Sequence, residues 1–192
     1  MLPQDSVLPF LEQRDYLHGT TLYRQLRRLA PPAVGTCFRI FRQIRTNSVR
    51  ITCLQKCSNP VARLDWFEDG ESRTFAVEEL PMCLPIERHS YNEGLVTAAC
   101  HVDGHNVYLE GAPPFDCVTS AVPMFKVALK ANSHSSDSGG QWMFTRLDCV
   151  ATGTECEHIE LRLILVRPRG VAKAEILVGG MLYANMYFSW VS

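Results

Sequence analysis

The sequence predicts an α+β protein built mostly from antiparallel β-hairpins, with two short helices. Three observations predict it. Several short stretches alternate apolar and polar residues at a period of two, bounded by Gly- or Asn-bearing turns. Two segments, one opening at Thr20 and one at Phe115, instead carry apolar residues at helical spacing. A grammar of one helix followed by about three strands is used twice along the chain, although no residue-level repeat links the two halves.

The composition fits a globular protein with a sizeable core: 192 residues, 46% hydrophobic and 20% charged, with a net charge of −1. The expectation is one compact unit over residues 1–192, with possible halves at 15–80 and 94–192. A near-neutral chain has no global field to favour nucleic acid or a membrane surface.

Residues 1–15, with Pro3 and Pro9, read as an extended arm, so the first half is expected to lack an opening strand. The arm has no basic segment followed by an apolar one, which speaks against a secretory leader. No apolar run reaches the ~18–20 residues that span a bilayer. A cytoplasmic location is therefore expected. Next, Leu22, Tyr23, Leu26 and Leu29 form a helical stripe, with Thr20 as its expected N-cap and Pro31-Pro32 as its stop.

From Thr36 the period becomes two. Phe38, Ile40 and Ile44 form one strand and Val49, Ile51 and Cys53 a second, with Thr46-Asn47-Ser48 read as the turn between them. Ala62, Leu64 and Trp66 face Phe75 and Val77 across Asp69-Gly70 in a second hairpin. Residues 81–93 read as a connector. Leu95 to Val102 is expected as a strand, Asp103-Gly104 as a turn and Val107 to Leu109 as the return. Phe115, Val118, Ala121, Val122, Phe125 and Leu129 share the second helical stripe, which Pro123 is expected to kink or split. Asn132 to Gly140 reads as a loop. Trp142 to Val150, Ile159 to Val166 and Val171 to Trp190, the last broken near Gly179-Gly180, close the chain as strands.

The helix start Tyr16-Leu17-His18-Gly19-Thr20-Thr21-Leu22 resembles that of the hotdog superfamily. So does the ending, Glu160-Leu161-Arg162-Leu163-Ile164-Leu165 followed by Ala172 to Ala184 with Gly179-Gly180. Phe115-Asp116-Cys117-Val118 resembles the helix start of a second such unit, which would make the chain a degenerate double hotdog over residues 15–191. The resemblance implies an antiparallel sheet wrapped around one or two central helices, in a protein that acts on or binds an acyl thioester, of thioesterase or dehydratase type. It implies His18 and Asp116 as catalytic residues, acyl-CoA or an acyl-carrier protein as partner, and no cofactor.

Each site residue also has an ordinary structural reading. His18 could hydrogen-bond within the turn before its helix. Asp116 could be a carboxylate placed against a helix dipole. Cys117 could be a thiolate nucleophile or a packing thiol. His101, His105 and His158 lie in or beside turns. Arg24, Arg27, Arg28, Arg39, Arg42, Arg45 and Arg50 fall in a stretch, Tyr16 to Ile51, that has no Asp or Glu. Arg39, Arg42, Arg45 and Arg50 are the candidates to hold an anionic substrate, since guanidinium grips phosphate or carboxylate in bidentate fashion. The plain alternative is a solvated face paired with acids from the other half.

Eight cysteines offer no C-x-x-C pairing, so no zinc site is expected. Motifs of serine hydrolases and of nucleotide-phosphate loops are absent, and nucleic acid has no support beyond local charge. The second reading is a non-catalytic binding or assembly protein on the same scaffold, its arginine face meeting an anionic partner and its last strand pairing edge to edge in a homodimer.

Overall fold

The computed structural model describes residues 3–31, 35–53, 59–68, 70–132, 140–151 and 157–191. The chain divides into two compact units, Met1–Tyr91 and Asn92–Ser192.

In the first unit, β1 (Gln4–Val7) precedes α1 (Gly19–Leu29), followed by β2 (Thr36–Ile40), β3 (Ser48–Thr52), β4 (Ala62–Glu68) and β5 (Glu71–Glu79). The strands pair antiparallel in the order β1-β3-β5-β4-β2. Alternation sends Phe38, Leu64, Phe75, Ile51 and Val77 to one buried face, each at most 2% exposed. Phe38 and Phe75 both stand opposite Leu64, and Ile51 stands opposite Val77. The apolar stripe of α1 is buried through Leu22, Tyr23 and Leu26, with the Tyr23 ring 5.5 Å from Phe38.

Three expectations change here. The arm supplies an opening strand after all: Gln4 to Val7 pair residue by residue with Ile51 to Ser48. The segment after Thr36 does not form a hairpin across Asn47. β2 ends at Ile40 and pairs with β4, while β3 pairs with β1 and β5. The N-cap of α1 is His18 rather than Thr20, with Gly19 as the first helical residue. The β4–β5 hairpin forms as expected. Gly70 has φ +80°, a conformation that costs glycine nothing, whereas Asp69 lies outside the described residues.

The second unit contains α2 (Glu93–Ala98), β6 (Cys100–Asp103), β7 (Asn106–Leu109), α3 (Cys117–Asn132), β8 (Gln141–Cys149), β9 (Ile159–Val166), β10 (Val171–Val178) and β11 (Met181–Val191). Its strands run in the order β8-β11-β10-β9-β7-β6, with antiparallel pairing throughout. α3 packs on α2, β6, β7 and β9. Cys117 through Phe125 are all buried, so α3 is a core helix sunk nearly all round rather than an amphipathic one.

α3 runs unsplit through Pro123. The expected strand from Leu95 is a helix up to Ala98, because the Asn92 side chain accepts the Gly94 N–H at 2.9 Å and caps it; only Cys100–Asp103 is strand. The β10–β11 turn falls at Gly179 and Gly180, with φ +57° and +79°, the doubly positive geometry of a tight hairpin. β11 is hydrogen-bonded to β8 on one side and β10 on the other, so the last strand has no free edge for a partner. Most of the expected loop from Asn132 to Gly140 lies outside the described residues; Asn132 itself is the last residue of α3. No described helix is long and apolar enough to cross a membrane.

Candidate functional site

His18 sits at the start of α1 with extended backbone (φ −71°, ψ 138°) and is 5% exposed. Its position is fixed from both sides. The preceding Leu17 N–H donates to Ile44 O at 2.9 Å, and the His18 carbonyl accepts the N–H groups of Thr21 (3.1 Å) and Leu22 (3.2 Å), opening the helix. Its side chain makes no capping bond. Instead, Nδ1 lies 2.8 Å from Oγ1 of Thr20, itself 1% exposed.

The imidazole also packs on Tyr91, whose ring centroid lies 5.6 Å away at a 46° tilt. Tyr91 is held by the arm. Its N–H donates to Glu12 Oε1 (3.3 Å), and the Arg14 guanidinium lies 5.3 Å over its ring. Residues around Glu12 and His89 are sewn together: Glu12 N–H to His89 O, His89 N–H to Phe10 O, and the Arg88 guanidinium to the carbonyls of Glu12 and Arg14. Glu12 adopts φ +48°, a strained setting for a side-chain-bearing residue, held there by these bonds. Sequence reasoning missed Tyr91 and Glu12. Neither lies in a periodic segment, and their partnership joins the arm to the connector.

Asp116 immediately precedes α3 and is exposed. Its Oδ1 accepts the Thr119 N–H at 3.0 Å and its Oδ2 accepts the Thr119 hydroxyl at 2.7 Å, the pattern of an N-cap. His18 belongs to the first unit and Asp116 to the second. Cys117 is buried at 4% exposure. His101, His105 and His158 are exposed. His158, with Tyr108, Glu110 and Glu160, lines a depression of about 420 Å³ in the second unit. Among the described residues no three His, Cys, Asp or Glu side chains gather as metal ligands.

Most of the arginines expected to hold an anion carry acids of their own unit. Arg42 donates to Glu79 Oε2 at 2.7 Å, and the other oxygen of Glu79 accepts the backbone N–H groups of Arg45 and Thr46. Arg45 reaches Asp15 at 2.9 Å. Arg50 grips Asp5 bidentately at 2.7 and 2.9 Å; that hydrogen bonding holds the Asp5 carboxyl below the usual range and pushes Arg50 up. The acids thus flank the acid-free stretch in the same unit rather than coming from the other half. Arg39, exposed on β2 opposite Arg63, has no ion-pair partner among the described residues.

No protein-family model matches the sequence, and no curated protein matches it. Solved structures do. The chain is similar over 99% of its length, and 92% of the other chain, to a candidate thioesterase II from Thermobifida fusca YX (TM-score 0.51, 12% identity). It is similar over 97%, and 94% of the other chain, to the dehydratase domain of RzxB from Pseudomonas fluorescens (TM-score 0.51, 8% identity). The dehydratase domain of PpsC from Mycobacterium tuberculosis, solved in complex with C12:1-CoA, matches over 98% and 93% (TM-score 0.51, 9% identity). At such identities the likeness is one of fold. That fold is of the α+β class the sequence predicts, antiparallel strands with, in the second unit, a helix packed on them.

Proposed function

We propose that this chain binds an acyl thioester, carried on coenzyme A or an acyl-carrier protein, and turns it over in the manner of a thioesterase or dehydratase. His18 is the imidazole that meets the thioester. The observation that carries this reading is the buried His18 at the start of α1, tied to Thr20 and walled by Tyr91, in a fold shared with thioesterase and dehydratase domains. A helix start turns N–H groups toward whatever stands before it, which favours the oxygen of a polarised carbonyl. Asp116 takes the carboxylate's part, and its capping bonds to Thr119 would loosen for it to do so. Arg39 is the first candidate for the anionic end of the donor. Arg42, Arg45 and Arg50 join it by exchanging a carboxylate for a phosphate, a small cost for surface pairs. A cytoplasmic setting fits the six free thiols among the described cysteines.

The test is a panel of acyl-CoA and acyl-carrier thioesters, followed for cleavage or hydration with wild type, His18→Ala and Asp116→Asn. Loss of at least a hundredfold on His18→Ala is expected for a group in proton transfer or oxyanion stabilisation. Equal rates in wild type and His18→Ala would remove His18 from the reaction. A double variant no slower than His18→Ala would mean the two residues act in one step; multiplied losses would separate them.

A second reading, a binding or assembly protein without catalysis, is favoured by one observation: both oxygens of Asp116 are engaged in capping α3. It expects thioester binding that survives both substitutions, with no turnover anywhere in the panel. A homodimer belongs to this reading, formed by a surface other than β11, and is tested by sedimentation.

A further inference from the structure

We infer that Glu79 is a positioning residue for His18: its carboxylate pins the irregular segment between β2 and β3, and that segment fixes the start of α1. That His18 meets a thioester rests on the function proposed above, whereas the positioning rests on hydrogen bonds within the first unit.

Residues 41–47 form neither helix nor strand, yet three parts of the first unit converge on them. The arm does so at two main-chain points: Leu8 N–H donates to Asn47 O at 2.8 Å, and Leu17 N–H donates to Ile44 O at 2.9 Å. The connector that leads to Tyr91 does so where Asn47 meets Leu84. β5 does so through Glu79, its last residue. His18 follows Leu17 directly in the chain, and Tyr91 walls its ring. Two supports of the imidazole, one through Leu17 and one through the connector, thus start from this one segment.

An irregular segment keeps its shape only where its main-chain groups find partners elsewhere. The N–H groups of Arg45 and Thr46 both donate to Glu79 Oε1, at 2.6 and 3.0 Å, and Glu79 is their one acceptor among the described residues. Oε2 accepts the Arg42 guanidinium at 2.7 Å. A single carboxylate, its side chain only 12% exposed, therefore collects three charge-assisted bonds from residues on both sides of Ile44. Without it two N–H groups lose their acceptor, and the Ile44 carbonyl can shift and carry Leu17 and His18 with it. The Arg45–Asp15 pair is no substitute, because its side chains are 61% and 79% exposed and a surface pair holds weakly. A misplacement of about 1 Å at a reacting group costs about a hundredfold in rate.

Glu79→Ala leaves a seat that formate can refill with a charged carboxylate and formamide cannot. The first measurement follows the Arg45 and Thr46 amide resonances and the His18 imidazole ¹³C–¹H resonances in the full chain. All are expected to move in Glu79→Ala, to return with formate and to stay displaced in formamide. Glu79→Gln keeps an acceptor oxygen without the charge and is expected to move them part of the way, since a neutral bond is about half as strong; it decides the matter if Glu79→Ala does not fold. Imidazole resonances that stay at their wild-type positions in both variants overturn the inference. Unmoved amides do so as well, and an equal return with formamide overturns the part given to the charge.

The second measurement is turnover of the thioester panel. Glu79→Ala is expected to lower kcat about tenfold to a hundredfold with KM little changed, and formate to restore it. An unchanged kcat in Glu79→Ala, or a loss confined to KM, overturns the positioning role. A wild-type chain that turns over no thioester defeats the proposed function instead, while the imidazole resonances still decide whether Glu79 positions His18.

Discussion

Asn47 holds Leu84 by both of its main-chain groups. The amide Nδ2 donates to the Leu84 carbonyl at 2.6 Å, and Oδ1 accepts the Leu84 N–H at 2.9 Å. Asn47 is only 2% exposed, and Leu84 lies in an exposed extended segment that leads on to Tyr91 and so to His18. A single side chain thus does for this segment what a neighbouring strand would do.

Asn47→Ala is expected to cost about 1–3 kcal/mol, the value of two hydrogen bonds less what water restores to an exposed Leu84. The Leu84 amide should exchange much faster, and proteases should cut between Met82 and Arg88. Asn47→Asp should be at least as damaging, since it sets a carboxylate oxygen against the Leu84 carbonyl. Hydrogen exchange and limited proteolysis check this. An unprotected Leu84 amide in wild type would show that the clasp does not hold.

The contrast between Asn47 and Gly179-Gly180 explains what was legible in the sequence. Gly179-Gly180 joins strands that are neighbours in both chain and sheet, and the apolar alternation on either side states the hairpin outright. Asn47 also looks like a turn residue. However, whether β2 pairs with β3 or β4 is decided by side chains far apart in sequence, such as Phe38 against Leu64, which no local pattern encodes. α2 was hidden because Leu95 and Val96 suit a strand as well as a helix, and only the Asn92 cap decides. In the candidate site, His18 was singled out through the resemblance of its helix start. Its partners were not: Thr20 has the look of a cap, and Tyr91 arrives through an irregular segment.

Two buried hydroxyls work against stability. Thr21 Oγ1 and Thr36 Oγ1 are buried with no hydrogen-bond partner among the described residues. Valine has nearly the same shape, so Thr21→Val and Thr36→Val should each raise stability by about 1 kcal/mol. Thr20→Val, one residue away from Thr21, should lower it by about as much, because it strands Nδ1 of His18. Urea denaturation of the three variants checks the signs. Destabilisation by Thr21→Val would mean that its hydroxyl has a partner in solution.

The Asp5–Arg50 pair gives the first unit an acid-sensitive tie between β1 and β3. The Asp5 carboxyl lies below its ordinary range because it accepts the Arg50 hydrogen bonds. Its folded state therefore binds its proton less readily than the unfolded chain does. The contribution is present above the ordinary Asp range, near pH 4, and is lost as pH falls through the depressed value. The difference in stability between wild type and Arg50→Gln should be visible at pH 6, shrink as the solution is acidified below about pH 4, and weaken in high salt because the pair is at the surface. A difference that persists undiminished in strong acid would place the effect of Arg50 in packing rather than charge.

In the second unit the helix is tied to the sheet by aromatic rings. Phe125 of α3 stacks on Phe188 of β11 with centroids 4.3 Å apart and 24° between planes, and Phe188 meets Phe144 of β8 at 6.0 Å. Phe125 is 0% and Phe188 1% exposed, so truncating either leaves a cavity that rigid neighbours cannot close. Phe125→Ala and Phe188→Ala should each cost about 3–5 kcal/mol. Because the two rings share one contact, the double variant should cost less than the sum, by about 0.5–1.5 kcal/mol for the ring pair itself. Phe125→Leu keeps most of the volume and should recover much of the loss. Thermal and urea unfolding of the four variants measure the coupling. Strict additivity would mean that the stacked pair contributes only buried area.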